Sequence, residues 1–336
     1  MKTGILLLNV GTPDDPTPEK VGVYLKEFLM DPDVIDIPWP LRWILVNVLI
    51  VPKRSHASAE AYQKIWTERG SPLKFHMEDL CQRFGDALGD QYRVVYGMRY
   101  QNPSVRSALQ LLKSWGPERI LVVPLYPQYS LSSTASGEKE VHLQLKDLGI
   151  KTPVKFMAPF YRDPDFIEAS ASLIEPELKG ADHLLMSFHG LPVKQIKKMD
   201  SSGAHCLARG DCCAQVTPAN EKYCYRAQSY ETARKIVAKL GWPDEKYTVA
   251  FQSRLTQGWI QPFTDELLPK LPKQGVKTLV VACPSFTTDC LETLEEIGLR
   301  AREQFLQAGG EELRLVPCLN AAPQWVGALS RMIQRI

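Results

Sequence analysis

One histidine, one acidic run and one group of cysteines are the residues of this chain whose types and spacing could do chemistry. His189 follows the apolar run Leu184-Leu-Met-Ser-Phe and precedes Gly190, Leu191 and Pro192. That places an imidazole at the C-terminal end of a predicted parallel strand, the sheet edge where α/β sites are built. With an ordinary pKa of about 6.5, such a ring can accept a proton or bind a metal at neutral pH. A loop histidine satisfied by backbone bonds would account for the position equally well. The acidic run is Asp289-Cys-Leu-Glu-Thr-Leu-Glu-Glu296. Glu292 and Glu296 are spaced i, i+4 and share one helical face, with Glu295 beside them. Three carboxylates there repel one another unless they are solvated or handle protons or cations. A solvated face, with Asp289 as N-cap and Glu292 closing a capping box, is the commoner use of such residues.

The cysteines are Cys206, Cys212, Cys213 and Cys224, spaced C-x5-C-C-x10-C inside a polar, Gly-containing stretch without apolar periodicity. Four thiols within nineteen residues of a chain read as intracellular point to a thiolate metal site, iron-sulfur or zinc. The paired C-x2-C knuckles of zinc ribbons are missing, which favours iron-sulfur. His205 could replace one ligand. Cys81, Cys283, Cys290 and Cys318 are scattered and read as core or loop thiols. A further stretch, Trp39 to Ile50, is apolar and aromatic and is followed by Lys53 and Arg54. Alone it reads as a buried helix, the other use being an exposed lip against a bilayer or greasy ligand.

The elements that must position these residues are predicted from apolar runs. Candidate strands are Ile5 to Val10, Arg93 to Met98, Ile120 to Leu125, Val154 to Ala158, Leu184 to Phe188, Thr248 to Gln252, Leu279 to Cys283 and Leu313 to Cys318. They are continuous rather than alternating, as expected of parallel strands buried on both faces. Thr17-Pro18 and Asn102-Pro103 carry helix-start signals, and Gly116, Gly149 and Gly241 sit where C-caps belong. The alternation predicts a doubly wound α/β fold in two lobes. Arg119-Ile-Leu-Val-Val-Pro and Lys277-Thr-Leu-Val-Val-Ala form a faint internal echo consistent with two similar lobes.

With 336 residues there is material for about two domains. Lys+Arg 40 against Asp+Glu 38 leaves a formal charge of +2, which argues against a nucleic-acid coat. The apolar run Ile5 to Leu8 is too short for a secretory signal, so a reducing, cytoplasmic setting is expected. The stretch Ile37 to Val51 is interrupted by Arg42, Asn47 and prolines and is too short to span a bilayer. Neither a dinucleotide fingerprint nor a Walker loop is present, so no nucleotide cofactor is expected.

Taken together, the motifs resemble the ferrochelatase family of lyases, metal chelatases that insert ferrous iron into a porphyrin at the end of haem synthesis. The residues carrying the resemblance are Asn9-Val-Gly-Thr-Pro13, Gly70-Ser-Pro-Leu73, Arg99-Tyr100, Tyr126-Pro-Gln-Tyr-Ser130, Ser187-Phe-His-Gly-Leu-Pro192, Gln252-Ser-Arg254 with Trp259, and Asp289 through Leu294. The resemblance implies two Rossmann-like lobes, residues 1–158 and 159–320, with a porphyrin cleft between them, the cysteine insertion at about 200–224, and a helix at about 321–336 that packs back on the first lobe. It implies His189 as the essential histidine and Glu292 as the conserved carboxylate, both near the substrate iron. Glu295 and Glu296 would provide a cation or proton path. Val10, Arg54, Tyr62, Ser71, Arg99, Tyr126, Trp259 and Phe286 match positions around the macrocycle or its propionates.

The cysteines resemble those of a bacterial subgroup with a [2Fe-2S] cluster in an internal insertion, which implies four-thiolate ligation by Cys206, Cys212, Cys213 and Cys224 in a structural or redox-sensing role. Protoporphyrin IX and Fe(II) are the implied substrates and haem the product. The apolar lip then becomes a membrane-facing entrance, with a cytoplasmic protein held peripherally at the inner membrane as a monomer or homodimer. The alternatives are a chelatase for coproporphyrin III or another tetrapyrrole or metal, and a non-catalytic haem-binding or iron-sulfur sensor protein.

Overall fold

In the computed structural model, which describes residues 1–214 and 221–336, each of the eight apolar runs becomes a strand. Among the described residues the strands are β1 (Thr3–Gly11), β2 (Tyr92–Tyr100), β3 (Arg119–Pro124), β4 (Val154–Phe156), β5 (His183–His189), β6 (Tyr247–Gln252), β7 (Thr278–Ala282) and β8 (Glu312–Leu315). They form two four-stranded sheets in the orders β2-β1-β3-β4 and β6-β5-β7-β8, with every pairing parallel. The chain groups into two units: Met1–Leu125, Leu131–Ala158 and Ile333–Ile336 in the first, Tyr126–Ser130 and Pro159–Met332 in the second.

Both sheets have the same winding, so β3 and β7, the strands of the internal echo, occupy equivalent third positions. Helices cover both faces, which is why the central strands lack alternation: Ile5, Leu6, Leu7 and Leu8 of β1 are all fully buried, as are Leu184, Leu185 and Met186 of β5. Each such side chain stabilises the fold by about 1.5–3 kcal/mol relative to exposure. In each sheet the chain moves one way from the first strand and then returns to its other side. That creates a switch point at the strands' C-terminal ends, between β1 and β3 in the first unit and between β5 and β7 in the second.

Several local expectations are corrected. The helix expected from Asn102-Pro103 starts later, as Val105–Trp115, because Ser104 supplies the cap, its hydroxyl accepting from Ser107 N at 3.2 Å. Gly116 and Gly241 do close their helices in the left-handed conformation. Of the C-terminal segment, Ile333–Ile336 group with the first unit, while helix Pro323–Gln334 up to Met332 groups with the second. Trp325 explains this: it is fully buried, its ring 5.8 Å from Phe160 and 6.1 Å from Phe166. The stretch read in isolation as a buried helix forms helix Trp39–Ile44 and a π-helical turn, Leu45–Ile50, and is largely exposed. Trp39 is 61% exposed and Leu41 59%, with Trp43, Ile44, Val48 and Leu49 exposed as well. Only Arg42 and Val46 of the segment are buried, and Arg42 donates Nη1 to the carbonyls of Ile35 and Ile37.

Candidate active site

His189 is the last residue of β5, at the switch point of the second sheet. Its main chain is fixed from three sides: it pairs with Gln252 of β6, its N–H donates to Ser285 Oγ at 3.0 Å, and its carbonyl accepts from Tyr225 Oη at 2.8 Å. The ring is half-buried, between Trp259 and Phe286 at centroid distances of 6.3 and 6.1 Å. Nδ1 lies 2.6 Å from the carbonyl oxygen of Gly190. A carbonyl only accepts, so Nδ1 carries a proton, and in the neutral ring Nε2 presents its lone pair. The residue that follows has to be glycine: a Cβ at Gly190 would lie 2.7 Å from the main-chain oxygen of Gln252, which also accepts the Gly190 N–H at 2.8 Å.

The acidic run lies in the same unit, after β7. Its first turn is capped by Cys290 with Thr293 closing the box, in place of the expected Asp289 and Glu292. Starting one residue later frees Glu292 from capping and leaves it half-buried, accepting from the Cys290 thiol. Asp289 is a buried structural carboxylate, accepting from Asn320 Nδ2 at 2.7 Å and Thr293 Oγ1 at 2.9 Å. Glu295 and Glu296, expected to act together, diverge. Glu295 is buried and accepts from Arg300 Nε at 2.7 Å. Glu296 opens a π-helical turn, Glu296–Ala301, and accepts from Ser253 N at 2.8 Å and Ser253 Oγ at 2.6 Å. Burial pushes the Glu296 carboxyl above the usual carboxylate range, with repulsion from Glu292 adding to it, while Ser253 and the nearby His189 pull it back.

The remaining macrocycle positions fall on both units. In the first, Val10 is at the C-terminal end of β1 and Arg54 is exposed beside the apolar lip. Tyr62 is buried edge-on to Tyr24 and Trp66, and Ser71 shares a 2.7 Å hydroxyl hydrogen bond with Thr12. Arg99 is already engaged: Nη2 donates to the buried Asp31 at 2.6 Å and Nε to Ser136 Oγ at 2.8 Å. Although burial opposes it, the hydrogen bonds from Ser136, Asp33 N and Tyr100 and the Arg99 charge hold the Asp31 carboxyl below the usual range. In the second unit, Tyr126 is buried and Trp259 and Phe286 flank His189.

The four insertion cysteines are all buried. They occur as two pairs: the Cys206 thiol bonds to Cys224, and Cys212 Sγ is 3.9 Å from Cys213 Sγ. Cys224 caps helix Tyr225–Leu240, and the Cys206 hydrogen bond, with N–H groups of the first turn, holds its thiol below the usual range. Arg226 Nη1 donates to Cys213 Sγ at 2.8 Å, yet burial still pushes that thiol up to about 12. His205, read as a substitute for one of the four ligands, directs Nε2 at the Cys212 carbonyl. Among the described residues, no group of three or more His, Cys, Asp or Glu side chains is arranged to hold a metal ion.

Sequence reasoning missed Tyr225, Ser285 and Ser253. The first two hold the His189 main chain, and only their adjacency to Cys224 and to Pro284-Phe286 marked them. Ser253 lay within a quoted motif but carried no role.

The chain matches the ferrochelatase family model over residues 2–336. A ferrochelatase of Coxiella burnetii is 45% identical over 339 residues, covering 99% of this chain and 94% of that relative. A ferrochelatase of Legionella pneumophila is 44% identical over 336 residues, covering 99% of both chains. Among solved structures, SirB from Bacillus subtilis with Fe3+ has a TM-score of 0.53 at 12% identity, covering 100% of this chain and 95% of that one. CbiX, the terminal enzyme for biosynthesis of siroheme in denitrifying bacteria, has a TM-score of 0.51 at 12% identity, covering 100% and 99%. These two share the fold, two Rossmann-like lobes. Family match and identity both run the length of the chain, so the chain belongs to the ferrochelatase family.

Proposed function

We propose that this protein inserts Fe(II) into protoporphyrin IX, giving protohaem and two protons, the last step of haem biosynthesis. The observation that carries the reading is the 2.6 Å contact of His189 Nδ1 with the Gly190 carbonyl, which leaves Nε2 as the ring atom open to chemistry, at a switch point in the same unit as an acidic turn. Metallation has to strip two N–H protons from a flat macrocycle and bend it so that nitrogen lone pairs meet the cation. The protein therefore needs a base and a shape-imposing wall. His189 accepts protons at Nε2 or passes the iron, Glu292 and Glu296 take protons onward, and Trp259 and Phe286 press on the ring. Nitrogen and carboxylate donors suit Fe(II) without trapping it.

In the first unit Arg54 neutralises a propionate, and Val10, Tyr62 and Ser71 contact the macrocycle, as does Tyr126 in the second. Arg99, its charge met by Asp31, contacts the macrocycle edge rather than a propionate. Anaerobic mixing of protein, Fe(II) and protoporphyrin IX is expected to replace the free-base bands with those of haem. Binding without conversion would favour a non-catalytic haem-binding or sensor protein.

The exposed lip around Trp39 to Leu49, followed by the exposed Lys53 and Arg54, supports peripheral attachment to the cytoplasmic face of the inner membrane. No helix among the described residues is long and apolar enough to cross a membrane. Replacing Trp43 and Leu49 with serine is expected to lower binding to anionic liposomes about tenfold or more, since each buried side chain contributes about 1.5–3 kcal/mol. Unchanged cosedimentation would remove the lip from this role.

The four insertion cysteines hold a [2Fe-2S] cluster in this reading. What supports it is the donor set: four buried thiols, the number and type of ligand that a cluster of this kind takes, although the described side chains are not arranged as a metal site. Bound there, the cluster would supply a structural tie or a redox-sensitive element. Protein purified anaerobically is expected to be coloured and to contain about two iron and two sulfide per chain. Colourless, zinc-loaded protein would contradict this.

A further inference from the structure

The motif Gln252-Ser253-Arg254 has so far been left without a task, and its geometry supplies one. Gln252 ends β6, and its side chain is committed on both sides: Oε1 accepts from Ser187 Oγ at 2.7 Å and Nε2 donates to the Glu292 carbonyl at 2.7 Å. Ser253 follows at φ 63°, in the left-handed region that a non-glycine residue enters only at a cost. That conformation lets one residue send two donors to one carboxylate, N–H to Oε1 of Glu296 and Oγ–H to Oε2. Arg254 anchors the other side, donating to Asp265 and Glu266 with its guanidinium over the Phe263 ring at 4.2 Å. Consecutive residues thus hold the acidic segment at Glu292 and Glu296, one turn apart. Strained backbone of this kind persists only where its surroundings hold it, and it clusters at functional sites.

A cavity of about 140 Å³ lies behind this contact, lined by Ser253, Arg254, Asp265, Glu296, Arg300 and Gln304 among others. Its walls combine these polar and charged groups with Leu268, Ile297 and Ala301, and it has room for several waters. We propose that Ser253 is a positioning residue for metallation: it fixes the Glu296 carboxylate at the wall of this cavity, where protons from the porphyrin pass to water. The proposal rests on the reading of Glu296 as a proton carrier. Each proton leaves a pyrrole nitrogen, is held on the carboxylate and departs into cavity water, which restores the carboxylate for the second. The raised Glu296 carboxyl fits a group that must hold a proton briefly, and Ser253 keeps it from being held too tightly.

Three variants test this, with porphyrin KM, kcat and Tm read for each. Ser253→Gly accepts the left-handed backbone without strain and loses only the hydroxyl. It is expected to keep or raise Tm, leave KM unchanged and lower kcat about tenfold, the weight of a hydrogen bond to a charged group. Ser253→Asn, which tolerates the same backbone and restores a side-chain donor, is expected to recover most of that loss. Glu296→Gln is expected to lower kcat at least as far. Full activity of Ser253→Gly beside a slow Glu296→Gln would overturn the role of Ser253 alone. Full activity of Glu296→Gln would overturn the proton-carrier reading and the proposal with it.

Discussion

His189→Ala is expected to lower kcat by about 10²- to 10⁴-fold, the usual worth of general acid–base catalysis, while Tm and porphyrin affinity stay near wild type. The reason lies in how the residue is held. Its strand pairing, its N–H bond to Ser285 and its carbonyl bond from Tyr225 all belong to the main chain and survive the substitution. What disappears is the half-buried ring, whose Nδ1–H is spent on the Gly190 carbonyl and whose Nε2 is left to act. A variant that binds porphyrin, melts with wild type and does not turn over would show that the ring is chemical rather than architectural. Near-normal turnover would remove His189 from the mechanism.

Glu292→Gln is expected to cost about 10²-fold in kcat with a change in porphyrin KM below about threefold. The amide copies the carboxylate's shape, and the bond from Gln252 to the Glu292 carbonyl does not involve the side chain. The substitution therefore removes proton acceptance and negative charge but little structure. A loss confined to KM would make Glu292 a porphyrin-positioning group instead. Because the Glu292 charge is one cause of the raised Glu296 carboxyl, the variant also makes Glu296 a weaker base. Its cost therefore includes a share that acts through Glu296, and the double variant is expected to lose less than the sum of the two single losses.

The strands were legible because burial on both faces forces continuous apolar runs, such as Leu6 to Leu8 and Leu184 to Met186, recurring between helix signals. His189 was legible for a related reason, since a strand's C-terminal end is fixed by the same run. The acidic turn was only half legible. Spacing grouped Glu292, Glu295 and Glu296, but a cap at Cys290 rather than Asp289 and a π-helical turn from Glu296 decide where each points. Two of those features depend on partners distant in sequence, Asn320 for Asp289 and Ser253 for Glu296, while Glu295 is taken by Arg300 on the next turn. The lip at residues 39–50 read as core in isolation because a contiguous apolar run carries no mark of whether protein covers it. Ser253 was invisible because a left-handed backbone leaves no signature at a serine.

The most direct measurement of the central claim is a pair of anaerobic progress curves with Fe(II), one on protoporphyrin IX and one on coproporphyrin III, compared as kcat/KM with the purified protein. The account predicts conversion of both free-base spectra to metallated ones, with protoporphyrin IX the better substrate. Preference for coproporphyrin III would contradict the assigned substrate, and no conversion of either would contradict the assigned reaction.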